Sequence, residues 1–143
     1  MVSNRGFTLI ELMVTIAVVA ILAMISIPSM SNLIAKQRLN STTRELASTL
    51  SEARSRAALL RREITVTLNS DSSNTATNYY WSPTINSSLT STTTSIVFNP
   101  NGTVKNATGD IDFVICNSKT RTKKTISVTK VGSQYSKAEE TCP

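Results

Sequence analysis

The chain contains no histidine, and this absence excludes most catalytic designs. Histidine is the commonest general base near neutral pH, the usual partner of serine and cysteine nucleophiles, and a frequent zinc ligand. Glycine is also scarce, at four residues, and the sequence contains no phosphate-binding loop or dinucleotide fingerprint. We therefore predict a protein that is not an enzyme and that binds no metal ion or cofactor.

Cysteine is limited to Cys116 and Cys142. An even pair suggests a structural disulfide in an oxidising compartment. The alternative is two free buried thiols in a reducing compartment, but a C-terminal tail offers little core in which to bury a lone thiol. A bond between the two would close a loop of about 25 residues, which stabilises a fold by about 3 kcal/mol in the chain-entropy model. The pair therefore favours an exported protein.

Charge is nearly absent from residues 7–27, where Glu11 is the only charged side chain in FTLIELMVTIAVVAILAMISI. A helix of about 20 apolar residues can cross a bilayer, and no polar stripe divides this one. A cleaved secretory signal is the alternative, but its apolar region spans only about 7–15 residues. We expect residues 7–28 to form a transmembrane or filament-core helix.

Glu11 lies inside this apolar segment, where a carboxylate costs several kcal/mol unless it finds a partner. Such a residue therefore marks a functional position. The natural partner is a positive group at the same depth on another subunit. Cleavage of the chain after Gly6 would supply one, the α-amine of Phe7. A protonated Glu11 without a partner is the alternative.

The run Gly6-Phe7-Thr8-Leu9-Ile10-Glu11 resembles the cleavage motif of type IV prepilins and type II secretion pseudopilins. The resemblance implies that residues 1–6 are a leader peptide, which a prepilin peptidase removes after Gly6. It also implies N-methylation of Phe7, the new N-terminal residue. Glu11 would then pair with the N-terminal amine of a neighbouring subunit and fix the register of assembly.

A second helical pattern follows Pro28 and contains no glycine or proline up to about residue 62. Its apolar residues recur on one helical face: Leu39, Leu46, Leu50, Ala53, Ala57 and Leu60. We predict one long helix of about 50 residues, apolar in its first half and amphipathic in its second. Pro28 matches the helix-bending proline of many pilins, and the resemblance therefore implies a kink at that residue.

The outer face of this helix carries an excess of basic side chains, namely Lys36, Arg38, Arg44, Arg54, Arg56, Arg61 and Arg62. Such a face can bind nucleic acid or anionic lipid, or it can be a solvated face that packs against acidic neighbours. We favour the second interpretation, because no aromatic residue is interleaved to stack bases. The cations that follow the apolar segment outnumber those before it, which opposes an exported domain by the positive-inside rule. The prediction that the C-terminal domain is exported therefore depends on the family resemblance and on the cysteine pair.

Beyond residue 63 the composition changes to Ser, Thr, Asn and β-branched residues. The pattern predicts five strands, at Ile64–Leu68, 79–81, Ser95–Phe98, 110–115 and 125–128. Strands that follow a helix indicate an α+β fold with an antiparallel sheet packed against the helix, and the resemblance implies that this is the type IV pilin fold. Residues 29–143 would form this domain, with 63–143 as its β region. The triplet 79–81 is either a contact hot spot or, as we favour, a cap on the sheet.

The run Ile96-Val-Phe-Asn-Pro-Asn-Gly102, together with the strand that follows it, resembles the GspH/FimT/FimU family of minor pilins and H-type pseudopilins, FimU-like minor pilins in particular. Members that capture DNA carry a Gly-Arg-rich motif after the last strand. Here Gly132 is followed by Ser133, not by arginine, and Glu139 and Glu140 add negative charge. DNA is therefore kept only as an alternative partner, for a basic patch that consists of Lys119, Arg121, Lys123, Lys124 and Lys130.

Asp110 and Asp112 are two residues apart on a predicted strand, so their side chains share one face. They could form a carboxylate pair or a weak cation site, but a solvated strand face is the favoured interpretation.

Together these features predict a minor pilin of a type IV pilus. It would prime filament assembly within a tip-associated complex of minor pilins. Its partners would be other minor and major pilins, the prepilin peptidase and the inner membrane, with the C-terminal domain in the periplasm before assembly. The alternatives are an H-type pseudopilin of a type II secretion system and a DNA receptor for natural transformation.

Overall fold

The computed structural model describes residues 6–142, except for the side chains of residues 25–29. The chain divides into two units, Met1–Ile34 and Ala35–Pro143, and one helix, α1 (Leu9–Leu60), contributes residues to both. The second unit also contains the strands, which are β1 (Ile64–Leu68), β2 (Asn78–Trp81), β3 (Ser87–Leu89), β4 (Ser95–Phe98), β5 (Ile111–Asn117), β6 (Thr122–Val128), β7 (Gln134–Ser136) and β8 (Glu140–Thr141). The predicted α+β class and the single long helix are confirmed.

The first unit consists of the apolar part of α1. Its large apolar side chains between Leu9 and Met24 are 50% to 76% exposed. Among the described residues, no stretch of helix meets the combined length and hydropathy needed to cross a membrane. The backbone of α1 continues through Pro28, but the side chain of Pro28 is not among those described, so the predicted kink lies outside the described residues.

The second half of α1 buries one face in the core. Leu39, Leu46, Leu50, Ala53 and Ala57 are all at most 1% exposed, as their spacing predicts. The prediction for Leu60 is wrong, because α1 ends there and leaves this side chain 48% exposed. Thr42 and Thr43 are buried as well. Thr43 is satisfied by donating from Oγ1 to the carbonyl of Leu39 at 2.7 Å.

Two sheets pack against this face. The first has the strand order β2-β1-β4, and the second has the order β3-β5-β6-β7, with β8 on the same strand β6. Strands β1, β4 and β5 bury alternate residues, as half-buried strands do. The inward residues of both sheets and those of α1 form a single hydrophobic cluster that includes Val66, Phe98, Phe113 and Ile126.

The sheet prediction needs one correction, because β1 and β2 are parallel. The polar segment 69–77 carries the chain back along β1 so that β2 runs in the same direction. The remaining pairs are antiparallel. Strands β3, β7 and β8 are absent from the prediction, since they are two or three residues long and consist mostly of Ser, Gln, Glu and Thr, which are weak strand formers or too few to show a pattern.

The aromatic strand β2 caps the edge of its sheet, as favoured from the sequence. Tyr79 and Trp81 point into the core and are 4% and 3% exposed. The outer edge of β2 is covered by the preceding loop, since the Tyr80 amide donates to Asn74 Oδ1 at 2.8 Å and the Thr75 amide donates to the Asn78 carbonyl at 2.8 Å. A covered edge is protected from pairing with another chain.

The C-terminal end of α1 is closed by a residue in the left-handed conformation that is not glycine. The Arg62 amide donates to the Ala57 carbonyl at 3.3 Å, the long-range bond of a Schellman motif. The residue in the left-handed position is Arg61, with a φ of 50°. A side chain with a Cβ is disfavoured there.

We predict that Arg61→Gly stabilises the protein by about 0.5–1 kcal/mol, because relief of the left-handed strain outweighs the added flexibility of the unfolded chain. Thermal unfolding of the detergent-solubilised full chain measures the effect. The matched control is Arg62→Gly, which lies outside the left-handed position and is expected to give no gain. Equal effects of the two substitutions would contradict the strain argument.

Candidate assembly site and basic surface

The predicted processing residues lie immediately before α1. Gly6 and Phe7 are exposed, Phe7 by 82%. A Cβ added at Gly6 would meet no atom within 4 Å, and its φ is not in the left-handed region. The fold of this chain therefore does not require glycine at this position. Residues 1–5 of the predicted leader lie outside the described residues.

Thr8 caps α1 and places Glu11 in its first turn. Thr8 Oγ1 accepts a hydrogen bond from the Glu11 amide at 3.2 Å, and the Thr8 carbonyl accepts one from the Leu12 amide at 3.2 Å. The Thr-x-x-Glu spacing is that of a capping box, and an acid in the first turn interacts favourably with the helix dipole. An acid at position 11 is therefore also favoured by its place in the first turn of α1, apart from any role in assembly.

The Glu11 carboxylate is exposed and forms no ion pair with any other described residue. It is surrounded along the chain by exposed apolar side chains, among them Leu9, Ile10 and Leu12. If these apolar side chains are buried against a membrane or other subunits, the carboxylate is left in need of a positive partner.

The predicted disulfide is confirmed. Cys116 of β5 and Cys142 of the tail are bonded, with their Cα atoms 6.0 Å apart and a sequence separation of 26. The tail is further held by the Cys142 amide, which donates to the Arg121 carbonyl at 2.8 Å. The bond therefore fastens the tail to the hairpin of β5 and β6.

The acidic tail neutralises part of the predicted nucleic-acid patch. Lys123 Nζ is 2.9 Å from Glu140 Oε2, and Lys124 Nζ is 3.7 Å from Glu139 Oε2. The hydrogen bond and charge of Lys123 lower the pKa of the Glu140 carboxyl. The other members of the patch, Lys119, Arg121 and Lys130, form no ion pair within residues 6–142. Two of the five predicted patch residues, Lys123 and Lys124, therefore form ion pairs with acidic side chains of the same chain.

Two arginines of the predicted basic face on α1 are engaged inside the domain. Arg56 Nη2 lies 3.3 Å from Glu52 Oε1, which also accepts a hydrogen bond from Tyr79 Oη at 3.2 Å. Burial, and then the charge of Glu52, raise the pKa of Tyr79. Arg54 turns towards the sheets and binds backbone carbonyls, so its outward placement in the sequence prediction is wrong. Helical spacing alone could not show that two loops fold over this position.

Arg54 joins two tight turns that come from different sheets. Its Nε donates to the Gly102 carbonyl at 3.1 Å, and its Nη2 donates to the Val131 carbonyl at 3.0 Å. Gly102 and Gly132 close their turns with positive φ values of 77° and 79°. A Cβ at Gly132 would lie 2.2 Å from the Gly102 carbonyl oxygen. Gly102 of the run 96–102 and Gly132 of the turn before β7 therefore meet at one guanidinium.

Gln134 attaches the segment after Gly132 to the helix. With its amide oriented to satisfy both groups, its nitrogen donates to the Ala47 carbonyl at 3.2 Å and its oxygen accepts from the Ser51 amide at 3.1 Å. These two backbone groups are four residues apart on α1. The stretch after Gly132 is thus in contact with the helix backbone.

Asp110 and Asp112 are bound by side chains of the tail and of β6, and do not form a pair with each other. Tyr135 Oη donates to Asp110 Oδ2 at 2.9 Å. Asp112 accepts from Ser127 Oγ at 2.6 Å and from Lys137 Nζ at 2.5 Å. No group of acidic, cysteine or histidine side chains in the described part of the chain could hold a metal ion. The two aspartates serve to hold β7 beside β6.

The comparisons with known proteins agree with this arrangement. Residues 1–27 match the family model described as the prokaryotic N-terminal methylation motif. This motif, on a long helix packed against antiparallel-rich sheets, defines a protein with a prepilin-type N-terminus and the type IV pilin fold. Among solved structures, the chain is similar to the crystal structure of the type IV minor pilin FimU of Pseudomonas aeruginosa. The identity is 24%, the TM-score is 0.52, and the match covers 70% of this chain and 93% of that one. No curated protein matched the chain.

We predict that Gly132→Ala destabilises the protein by about 2–4 kcal/mol, because the left-handed φ and the contact with the Gly102 carbonyl both oppose a Cβ. Unfolding of the detergent-solubilised full chain gives the value. Gly109→Ala is the matched control, since its Cβ would meet nothing within 4 Å, and it is expected to change stability by less than about 0.5 kcal/mol. A mild effect at both positions would show that the two turns separate easily.

The pair of Asp112 and Lys137 predicts a pH dependence of stability. The hydrogen bonds from Lys137 and then Ser127 hold the pKa of Asp112 below its ordinary value, and the bond to Asp112 raises the pKa of Lys137. Asp112 therefore contributes stability above the ordinary aspartate pKa of about 3.9, and this contribution is lost as the pH falls through its lower folded pKa. Lys137 contributes below about pH 10.4 and loses this contribution as the pH rises through its higher folded pKa.

Asp112→Asn should flatten both limbs of the pH–stability curve, because it removes the shifted carboxyl and the partner of Lys137. Ser127→Ala should leave the alkaline limb and weaken only the acid limb. Denaturant unfolding at a series of pH values measures both. An acid limb unchanged by Asp112→Asn would contradict the assignment.

Proposed function

We propose that this protein is a minor pilin of a type IV pilus and that it helps to prime filament assembly near the pilus tip. The observation that carries the proposal is the combination, in one chain, of the N-terminal methylation motif and a fold similar to that of FimU. The role is structural and not enzymatic. In this proposal a prepilin peptidase cleaves after Gly6, and Phe7 becomes the methylated N-terminal residue.

The exposed apolar part of α1 supports an anchoring and packing role. An isolated helix with apolar side chains on all sides needs either lipid or other helices around it. Before assembly, it would hold the protein in the inner membrane, with the second unit in the periplasm. During assembly, the same side chains would pack against the helices of other minor and major pilins. One surface thus serves both states.

Glu11 would set the register of that packing. Apolar side chains slide past each other with little preference, whereas a carboxylate in an apolar environment is stable only beside a positive group. The α-amine of a neighbouring subunit, created by cleavage before Phe7, is the partner we propose. Exposure of Glu11 and its lack of an ion pair within the described chain support this role.

The confined tail argues against DNA capture as the main function. Related receptors use a motif after the last strand, and here that stretch is held by Arg54 and Gln134, with Glu139 and Glu140 beside two lysines. DNA binding that falls steeply with salt would be the sign of the alternative. Gel shifts with the full chain in detergent at low salt test it directly.

We predict that Glu11→Ala abolishes or strongly reduces filament formation while the protein still reaches the membrane, because packing remains and register is lost. Counting filaments by electron microscopy, with membrane fractionation of the same cells, measures both properties. Glu45→Ala is the matched control, an exposed acid on the same helix with no ion pair among the described residues. Wild-type filament numbers in the Glu11→Ala strain would contradict the proposal.

The remaining alternative is an H-type pseudopilin of a type II secretion system, since the cleavage motif is common to both classes. Deletion of the protein separates them. Loss of twitching motility with normal secretion of exoproteins is expected for a minor pilin. Loss of secretion with normal motility would assign the protein to the secretion system.

A further inference from the structure

Strand β3 lies at one edge of the five-stranded sheet, with β5 as its neighbour. Two hydrogen bonds fix which of its backbone groups face β5. The Ser118 amide donates to the Asn86 carbonyl at 2.9 Å, and the Thr90 amide donates to the Val114 carbonyl at 2.8 Å. Since hydrogen-bonded positions alternate along an antiparallel pair, residues 86, 88 and 90 face β5, whereas residues 87 and 89 face away from it.

Three backbone groups of β3 are therefore free to bind a further strand. They are the Ser87 carbonyl and the amide and carbonyl of Leu89, none of which has a hydrogen-bond partner among residues 6–142. The Ser87 amide is already used, because it donates to the Thr84 carbonyl at 3.0 Å. Buried backbone groups are almost always paired, so the free groups face solvent. An open row of this kind is a template for strand addition.

The other sheet edges are covered or charged, as natural edge strands commonly are. The preceding loop covers β2, and the Lys105 amide covers β4 by donating to the Val97 carbonyl at 2.8 Å. The edge formed by β7 and β8 carries three charged residues, Lys137, Glu139 and Glu140. β3 has neither protection, because no described residue pairs with its outer side and no charged residue occurs between Asp71 and Lys105.

The surroundings of β3 determine what kind of strand fits beside it. Leu89 packs against the hydrophobic cluster and is only partly buried, so an apolar side chain on the added strand would cover its remaining surface. Ser88 and Thr90 lie on the opposite face and are exposed. Because this region carries no charge, a charged side chain placed against it would lose water without gaining a partner.

We propose that β3 accepts an extended, uncharged segment of another pilin subunit as an additional strand of its sheet. The inference rests on the proposed function, because β3 is only three residues long and a weak contact needs a partner at high local concentration. Anchors in the same membrane would supply that concentration. A helix or a nucleic acid would leave the free strand groups unpaired. A second copy of this chain, with its net charge of +6, would bring like charges together.

Photo-crosslinking in cells tests the proposal. The photoreactive residue p-benzoylphenylalanine replaces Ser88 of the full chain, and the captured segment is sequenced by mass spectrometry. We expect attachment to a stretch of at least about five uncharged residues in a different protein that has a prepilin-type N-terminus. Leu89→Pro should lower the yield at least about fivefold, because proline lacks the outward amide, whereas Leu89→Val should preserve it.

Three controls separate the open edge from the stability of the fold. Leu89→Pro leaves the bonds of residues 88 and 90 with β5 in place, so its midpoint of thermal unfolding should lie within about 3 °C of that of Leu89→Val. Thr90→Lys keeps every backbone group and adds an edge charge, and it should lower the yield at least about twofold. The photoreactive residue at Thr141, on the charged edge, should capture no pilin segment.

Three outcomes would overturn the inference. They are capture of a second copy of this chain, capture of a charged segment or of the N-terminal helix of another pilin, and equal yields from Leu89→Pro and Leu89→Val. Normal filaments without capture at Ser88 would contradict only this inference. Capture of the expected segment, in cells whose filaments and motility persist when the protein is deleted, would instead count against the proposed function.

Discussion

One buried face of α1 determines the rest of the second unit. The inner residues of both sheets belong to a single cluster with Leu39, Leu46, Leu50, Ala53 and Ala57. Among the elements described, neither the three-stranded nor the five-stranded sheet has another partner for its apolar side, and a sheet must bury its apolar face against another element. The helix is therefore the common support of two small sheets, and its length leaves the preceding apolar part available for other contacts.

The sequence predicts this arrangement well where one physical rule dominates. The spacing of leucines and alanines identifies the buried face of α1, and alternation identifies β1 and β4 with their observed bounds. The prediction fails where the decisive contacts are distant in sequence. The parallel pairing of β2 depends on how segment 69–77 turns back, and the inward course of Arg54 depends on two turns that lie 48 and 77 residues further along.

The candidate site divides in the same way. Gly6, Phe7 and Glu11 form a local motif, so a single run of residues is sufficient to predict their roles. With two cysteines in the sequence, each has one possible partner. The basic patch could not be evaluated from sequence, because the acids that neutralise Lys123 and Lys124 arrive on a tail whose position depends on the disulfide. Composition counts these charges, but only the fold shows which of them meet.

The bond between Cys116 and Cys142 also has a mechanical consequence. β8 pairs with β6 through only two residues, Thr141 and Glu140. A strand with a free end can be peeled away one hydrogen bond at a time, which takes little force. Because the residue after β8 is covalently joined to β5, this strand has no free end to peel, and a pull on it is carried by the seven residue pairs between β5 and β6. A filament subunit under tension would lose its tail only together with its central hairpin.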